Sequence, residues 1–196
     1  AASDVYKRQC PEDYNATRKL VVENPEAGIR YFLVKPSDVA IYVEHGAADV
    51  GIVGKDILTE ASGDVYELLD TGLGKCRMCV AAPADYKDDP SRPVRVATKF
   101  VNIAKSYYAS MGRDIDIIKL NGSIELAPIV GLSEVIVDIV ETGSTLKENG
   151  LTVLEEVCPL SARMIVNPVS MRMENDRIRD LIGRIRNLLE LSLINI

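Results

Sequence analysis

The chain is poor in the residues that mark several common classes of functional site. It has one histidine, His45, and four cysteines, of which only Cys76 and Cys79 form a C-x-x-C pair. A zinc site of this kind would need a second such pair or histidines close by. We therefore interpret residues 76–82 as a buried strand whose cysteines pack as small apolar groups and stay reduced in the cytosol. A redox or zinc pair is the alternative.

Long apolar runs and a concentration of basic charge are also missing. No stretch approaches the roughly 20 apolar residues that span a membrane, and no basic start precedes an apolar segment. We therefore predict no membrane anchor, no secretion signal and a cytoplasmic location. The net charge of −6, with scattered lysines and arginines, argues against a nucleic-acid surface. With 196 residues the chain can form one domain or two small lobes.

What the chain does contain is an alternation of apolar strands and amphipathic helices. This pattern is typical of α/β folds with parallel sheets, which bind ligands at the carboxyl ends of the strands. Ser37 is the predicted N-cap of a helix that ends at Gly46. Residues 83–93, polar and rich in proline, are the predicted crossover between two lobes. The predicted strands are residues 29–34, 49–53, 65–69, 76–82, 94–98, 116–120, 135–140, 151–157 and 162–166, and the predicted last helix is 173–191.

The strand at residues 135–140 carries the clearest chemical pattern. Its apolar run predicts burial on both faces, so the carboxylate of Asp138 within it needs a cation or hydrogen-bond donors. The strand ends at Glu141, and the turn Thr142-Gly143-Ser144-Thr145 offers hydroxyls and backbone N–H groups at a helix start. Such a turn suits a phosphate. The pattern predicts a site for a magnesium-bound sugar phosphate. The alternative is an ordinary strand–turn–helix capped by Ser144 or Thr145.

Several motifs, in the right order, resemble ATP phosphoribosyltransferase, the first enzyme of histidine biosynthesis. The resemblance implies a two-lobed α/β fold similar to the type II periplasmic binding proteins, with the active site in the cleft between the lobes. It implies a nucleotide-side lobe one at residues 10–86 and 160–196, and a phosphoribosyl pyrophosphate-side lobe two at 87–159. The motifs are Val34-Lys35-Pro36-Ser37-Asp38-Val39, HGAADVGIVGKD (45–56), Ala97-Thr98-Lys99-Phe100, LNGSIELAP (120–128) and DIVETGSTL (138–146).

The chain resembles the short form of this family, which pairs with a regulatory subunit similar to histidyl-tRNA synthetase in a hetero-oligomer. Family members normally begin with a strand, a basic turn and a helix that have no counterpart here. We therefore expect the chain, as written, to be weakly active and poorly soluble. Residues 1–9 show no hydrophobic periodicity, and we expect them to be foreign to the fold. Val101 stands where the family usually has proline.

The resemblance implies transfer of the phosphoribosyl group of phosphoribosyl pyrophosphate to N1 of ATP, with release of pyrophosphate and with Mg²⁺ as cofactor. Asp138 and Glu141 are the implied catalytic residues, which face the ribose hydroxyls directly or through Mg²⁺. Asp138 is the implied ligand of this substrate-bound metal. The implied binding residues for the sugar phosphate are Asp138, Glu141, Thr142, Gly143, Ser144 and Thr145.

The implied ATP-binding residues are Lys35, Gly54 and Asp56, and Glu125 and Lys99 are expected to line the cleft. Several of these have structural alternatives. Asp56 can be a helix N-cap, Lys35 a solvated charge and Glu125 a residue that stabilises a helix start. His45 is interpreted as a residue at a helix end.

Two other function classes compete with this interpretation. One is a non-enzymatic solute-binding or sensing module on the same bilobal fold, since fold alone does not fix function. Such modules would need a secretion signal or a DNA-binding motif, and the sequence shows neither. The other is a phosphoribosyltransferase of the second major fold, which also has an acidic strand before its phosphate loop. The matching N-terminal lobe favours the first family.

Overall fold

The computed structural model describes residues 18–194, with side chains as far as residue 190. The prediction for residues 1–9, and the part of lobe one at residues 10–17, lie outside this range. The predicted α/β alternation is confirmed. In chain order the elements are β1 (Val21–Asn24), β2 (Ile29–Phe32), α1 (Pro36–Glu44), β3 (Val50–Gly54), α2 (Lys55–Ala61), β4 (Tyr66–Asp70), β5 (Cys76–Pro83), β6 (Val94–Thr98), α3 (Val101–Ser110), β7 (Ile115–Lys119), α4 (Leu126–Ile129), β8 (Val135–Val140), α5 (Ser144–Glu148), β9 (Leu151–Leu160), β10 (Ala162–Val166), α6 (Pro168–Met173) and α7 (Asn175–Ile194).

The chain divides into two compact units. Among the described residues, unit 1 comprises 18–53, 63–73 and 163–194, and unit 2 comprises 54–62 and 74–162. Unit 1 contains the antiparallel hairpin of β1 and β2 and a sheet with the order β3-β10-β4. Helix α1 packs closely on β3, since a Cβ at Gly51 would lie 2.7 Å from Cγ1 of Val39 and 2.9 Å from Cγ2 of Val43. Glycine permits this close approach of helix and strand.

The start of α1 differs from the prediction. Lys35 occupies the N-cap position and Pro36 lies in the first turn, so Ser37 is inside the helix. Proline favours this position because its missing N–H is one that a helix start leaves unpaired and its φ is already helical. The hydroxyl of Ser37 instead donates to the neighbouring Asp38 carboxylate.

Unit 2 is built on a five-stranded sheet with the order β7-β6-β8-β5-β9. Strand β6 is parallel to β7 and β8, whereas β5 is antiparallel to both β8 and β9. The sheet is therefore mixed: the parallel pairing that the sequence pattern favours is observed for β6, and it is wrong for β5. The interpretation of residues 76–82 as a strand is confirmed: they lie in β5, Cys79 is buried, and the described thiols of Cys76, Cys79 and Cys158 form no disulfide.

Burial on both faces of β8, which the apolar run predicts, is also observed. Val135 and Val137 belong to the core on the face covered by α3, together with Ile103 of that helix. Ile136 and Val140 alternate with them and belong to the second core, with Ala127 of α4 and Leu146 of α5. By the same alternation, Asp138 falls on the face of α4 and α5.

The predicted lobe bounds differ from the two units in three segments. Residues 74–86 and 160–162 belong to unit 2 because β5 pairs along its length with β8 and β9. Residues 54–62 also belong to unit 2. Residues 83–93 connect β5 to β6 within unit 2 instead of crossing between units. Which lobe binds which substrate stays a prediction.

Candidate functional site

The carboxyl ends of β6, β7 and β8 meet at one edge of the unit 2 sheet, because β6 is parallel to both neighbours. Lys99 follows β6, Glu125 follows the turn after β7, and Glu141 follows β8. Ligands of such sheets bind beyond the carboxyl ends of the strands. We call this region the carboxyl edge, defined by Lys99, Glu125, Asp138 and residues 141–145. The fold thus gathers candidates that lie far apart in the sequence.

Asp138 is a partly buried carboxylate with incomplete compensation from the protein. Its Oδ1 accepts the backbone N–H of Ile139 at 2.8 Å. Burial raises the pKa of Asp138, while that hydrogen bond and the nearby Lys99 lower it, and Glu125 raises it. Lys99 and Glu125 are therefore within electrostatic reach of the carboxylate. A bound cation or hydroxyl donors would stabilise its charged form.

Thr142 and Gly143 turn the chain into α5, whose first two residues are Ser144 and Thr145, and we refer to these four residues together as the turn at residues 142–145. Gly143 is the N-cap residue with a φ of 79°, a left-handed conformation that favours glycine. The hydroxyl oxygens of Thr142 and Ser144 lie 3.0 Å apart, and the N–H of Ser144 donates to Thr142 at 3.4 Å. Gly143, which has no side chain, occupies the N-cap position of α5, and Ser144 and Thr145 lie inside the helix, so the predicted capping by either of them was wrong. The turn presents hydroxyls and backbone N–H groups to a ligand.

Lys99 has an aromatic support beside it. The side chain of Lys99 is exposed, and its Nζ lies 4.6 Å from the centroid of the Phe100 ring. The ring is buried, with 3% of the residue exposed. This cation–π contact restricts the ammonium group while leaving its N–H donors toward solvent.

The start of β5 connects the first turn of α2 with the carboxyl edge. Burial raises the pKa of Cys76 at the start of β5, and the carboxylates of Asp56 and Glu141 raise it further. Both carboxylates are therefore within electrostatic reach of this thiol. The N–H of Lys55 donates to the backbone oxygen of Ser161 at 3.0 Å, which joins the start of α2 to the end of β9. Cys76 and Lys55 are site neighbours that the sequence analysis missed, because the antiparallel pairing of β5 with β8 has no local signature.

Gly54 and Asp56 form one local arrangement. A Cβ at Gly54 would overlap the carboxylate of Asp56, so glycine is needed for that side chain to fold back over the chain. The N-cap of α2 is Gly54, with no side-chain cap, so Asp56 is in the first turn of the helix and is not its N-cap. The predicted N-cap role of Asp56 was therefore wrong, and its carboxylate lies instead in the first turn, where it interacts favourably with the helix dipole.

The remaining candidates lie as follows. Glu125 occupies the N-cap position of α4 but makes no capping hydrogen bond there, which leaves its partly buried carboxylate available at the carboxyl edge. Lys35 is exposed and belongs to unit 1, so its relation to the others stays a prediction. His45 is the C-cap residue of α1, and its N–H donates to the backbone oxygen of Ile41.

The carboxyl edge fits a metal that arrives on a substrate better than a protein-held cluster. Within residues 18–194, no group of three or more His, Cys, Asp or Glu side chains is arranged to hold an ion. Asp138 and Glu141 provide carboxylate oxygens, the donor type that Mg²⁺ prefers. Mg²⁺ usually keeps several waters and binds through one or two carboxylates and substrate phosphates. The donor set is consistent with that mode.

None of the helices in the described part of the chain combines the length and apolar character that a membrane crossing requires.

Comparisons with known proteins identify relatives of the chain by sequence and by fold. The family model of ATP phosphoribosyltransferase matches residues 35–187. An ATP phosphoribosyltransferase of Brachyspira hyodysenteriae is 62% identical over 173 residues, which cover 88% of this chain and 84% of that protein. A solved ATP phosphoribosyl transferase (HisG:HisZ) complex from Thermotoga maritima is 35% identical with a TM-score of 0.83, covering 96% of this chain and 92% of that one. The periplasmic aliphatic sulphonate binding protein SsuA from Escherichia coli shares the fold alone. It is 11% identical with a TM-score of 0.56, covering 82% of this chain and 61% of that one.

Proposed function

The chain belongs to the ATP phosphoribosyltransferase family, and we propose that the carboxyl edge of unit 2 is its binding site for phosphoribosyl pyrophosphate. The enzyme transfers the phosphoribosyl group to N1 of ATP and releases pyrophosphate, the first step of histidine biosynthesis. One observation carries the assignment of the site: the partly buried Asp138 and the glycine-led turn at residues 142–145 lie at the same strand end.

The two carboxylates act on the ribose. Cleavage of the C1–O bond builds positive charge on the ribose ring and negative charge on the departing pyrophosphate. Asp138 and Glu141 accept hydrogen bonds from the ribose hydroxyls, and their negative charge favours the cationic transition state. When bound with the substrate through Asp138, Mg²⁺ supplies positive charge that offsets the negative charge on the pyrophosphate. ATP displaces pyrophosphate directly, so no protein nucleophile is needed.

The turn at residues 142–145 holds the 5-phosphate of the sugar. Its backbone N–H groups and the hydroxyls of Thr142, Ser144 and Thr145 are donors, and the start of α5 adds a partial positive charge. The left-handed φ of Gly143 turns the backbone at this point. Lys99 contributes a full positive charge at the same edge, which complements the pyrophosphate.

We assign Gly54 and Asp56 of unit 2 and Lys35 of unit 1 to ATP binding, and Glu125 to the carboxyl edge. The support for Asp56 is that its carboxylate and that of Glu141 both raise the pKa of the Cys76 thiol. For Lys35 the support is the sequence motif alone. The regulatory partner is a subunit similar to histidyl-tRNA synthetase, in keeping with the HisG:HisZ complex of the Thermotoga maritima relative. We place the reaction in the cytoplasm.

The decisive test is calorimetric binding of Mg²⁺-phosphoribosyl pyrophosphate to the wild type, Asp138→Asn and Asp116→Asn. The control Asp116 is an exposed carboxylate near the start of β7, away from the carboxyl edge, and its replacement removes the same charge. We expect Asp138→Asn to weaken binding at least tenfold, about 1.4 kcal/mol, and Asp116→Asn to bind as the wild type does. Equal weakening in both variants, or no binding by the folded wild type, would refute the site.

A second measurement separates this activity from phosphoribosyl transfer to a free base. We expect pyrophosphate release from phosphoribosyl pyrophosphate to require ATP. Release that proceeds with a free nucleobase and without ATP would favour the other class of phosphoribosyltransferase. Release under neither condition, with intact binding, would favour a binding module on the same fold.

A further inference from the structure

Thr98, the last residue of β6, carries a hydroxyl that is fully buried at the carboxyl edge. This hydroxyl donates to the backbone oxygen of Val137 on β8 at 2.6 Å. It also accepts the backbone N–H of Phe100 at 2.9 Å. The paired residues of β6 and β8 are Val96 with Val135 and Ala97 with Ile136. The Thr98 side chain therefore extends the connection between the two strands by one residue, beyond the regular pairing.

The two hydrogen bonds of Thr98 act on the residues at either side of the proposed substrate site. Val137 immediately precedes Asp138. Phe100 follows Lys99, and its backbone N–H donates to the Thr98 hydroxyl. The centroid of its ring lies 4.6 Å from the Lys99 ammonium. One buried hydroxyl thus fixes the backbone next to the Asp138 carboxylate and next to the Lys99 ammonium.

We propose that Thr98 is a positioning residue that acts through Lys99: its hydroxyl fixes the turn after β6, and so holds the Lys99 ammonium where it meets the pyrophosphate of the substrate bound at Asp138. This inference rests on the proposed function of the carboxyl edge. Thr98 itself is buried and does not contact substrate. Without the hydroxyl, a buried carbonyl and a buried N–H lose their partner, and the turn that carries Lys99 and Phe100 loses its connection to β8.

The test compares binding of Mg²⁺-phosphoribosyl pyrophosphate by Thr98→Val and Thr98→Ser. Valine keeps the shape of threonine and removes the hydroxyl, whereas serine keeps the hydroxyl. We expect Thr98→Val to raise the dissociation constant about tenfold and Thr98→Ser to raise it no more than about threefold. In steady-state assays, KM for phosphoribosyl pyrophosphate should rise in Thr98→Val while KM for ATP stays within about twofold.

A double-mutant cycle with Lys99→Met tests the route of the effect. If Thr98 acts through Lys99, adding Thr98→Val to Lys99→Met should weaken binding by less than about twofold, because the ammonium to be positioned is already gone. A purely structural role would give the same fold-change in both backgrounds. The same fold-change in both backgrounds therefore overturns the inference.

Thr71→Val is the matched control, since Thr71 is buried in unit 1 and its Oγ1 accepts the N–H of Leu73. It should bind the substrate as the wild type does. Binding by Thr98→Val equal to that of the wild type, or equal loss in the valine and serine variants, overturns the inference. No binding by the folded wild type instead overturns the proposed function. If Thr98→Val does not fold, Thr98→Ala is compared with Thr98→Ser under the same criteria.

Discussion

Replacement of Glu134 by glutamine should destabilise the protein in a pH-dependent way without altering the carboxyl edge. Glu134 lies just before β8, at the opposite end of the strand from Glu141. Its Oε2 accepts a hydrogen bond from the backbone N–H of Arg95 at 2.7 Å. Its Oε1 accepts hydrogen bonds from Nη2 of the Arg95 side chain at 2.7 Å and from Nη1 of Arg92 at 3.2 Å. The carboxylate thus joins the starts of β6 and β8.

The magnitude follows from the pKa of Glu134. The hydrogen bonds from Arg95, above all, lower this pKa from 4.5 to about 2, against the opposing effect of burial. Because the folded state lowers this pKa by about 2.5, the stabilisation has an upper limit of about 3.4 kcal/mol. The side chain of Glu134 is 13% exposed, but those of Arg95 and Arg92 are 43% and 55% exposed. Screening by solvent therefore reduces the expected value to about 1–2 kcal/mol.

The sign fixes the pH window. Since the folded state lowers the pKa, the ionised carboxylate stabilises the folded state fully above pH 4.5, and the effect is lost as the pH falls toward 2. Urea unfolding of Glu134→Gln and wild type should differ by about 1–2 kcal/mol at pH 7 and by less at pH 3. The control Glu174→Gln removes an exposed carboxylate of unit 1. If Glu134→Gln lowers the free energy of unfolding by the same amount at pH 7 and pH 3, the argument is refuted. Weaker binding of phosphoribosyl pyrophosphate by this variant would also refute it.

Three further substitutions test other parts of the structure. Asn167→Ala should lower the free energy of unfolding by about 2–4 kcal/mol in urea titrations, because the buried Asn167 amide caps α6 and donates to the last carbonyls of α1. An effect below about 0.5 kcal/mol would contradict this. Glu60→Gln should raise KM for ATP more than KM for phosphoribosyl pyrophosphate. The Glu60 carboxylate accepts the N–H of Asn102 at 2.9 Å and so holds α2, which carries Asp56, against α3. Equal changes in the two KM values would contradict this. Gly143→Ala should weaken phosphoribosyl pyrophosphate binding in calorimetry, since alanine disfavours a φ of 79°, and unchanged binding would count against the phosphate turn.

Local patterns in the sequence predicted the elements of unit 2 well. The apolar run at residues 135–140 predicted a strand covered on both faces, and β8 has a core on each side. The direction of β5 could not be predicted in the same way. Its apolar residues are compatible with either direction, and the choice depends on hydrogen bonding to β8 and β9, whose pairing is set by the whole sheet.

The candidate site was predicted where its residues follow one another in the chain. Residues 138–145 lie on one strand and one turn, so their proximity follows from local structure. Thr98 and Val137 are 39 residues apart and meet only because β6 and β8 are neighbours. A buried threonine at the end of an apolar strand is compatible with many roles, and the sequence alone does not show which backbone oxygen its hydroxyl meets.

The start of α3 shows what kind of signal indicates such distant contacts. Phe100 is the N-cap residue and has no side-chain oxygen, so the helix has no cap of its own. Its first N–H groups nevertheless need acceptors, and Glu60 supplies them, with its carboxylate 2.9 Å from the N–H of Asn102 and 3.1 Å from that of Ile103. A helix that begins without a capping residue therefore indicates an acceptor from elsewhere in the chain. Here that acceptor attaches α2 to unit 2, and this attachment places Asp56 in the same unit as Glu141.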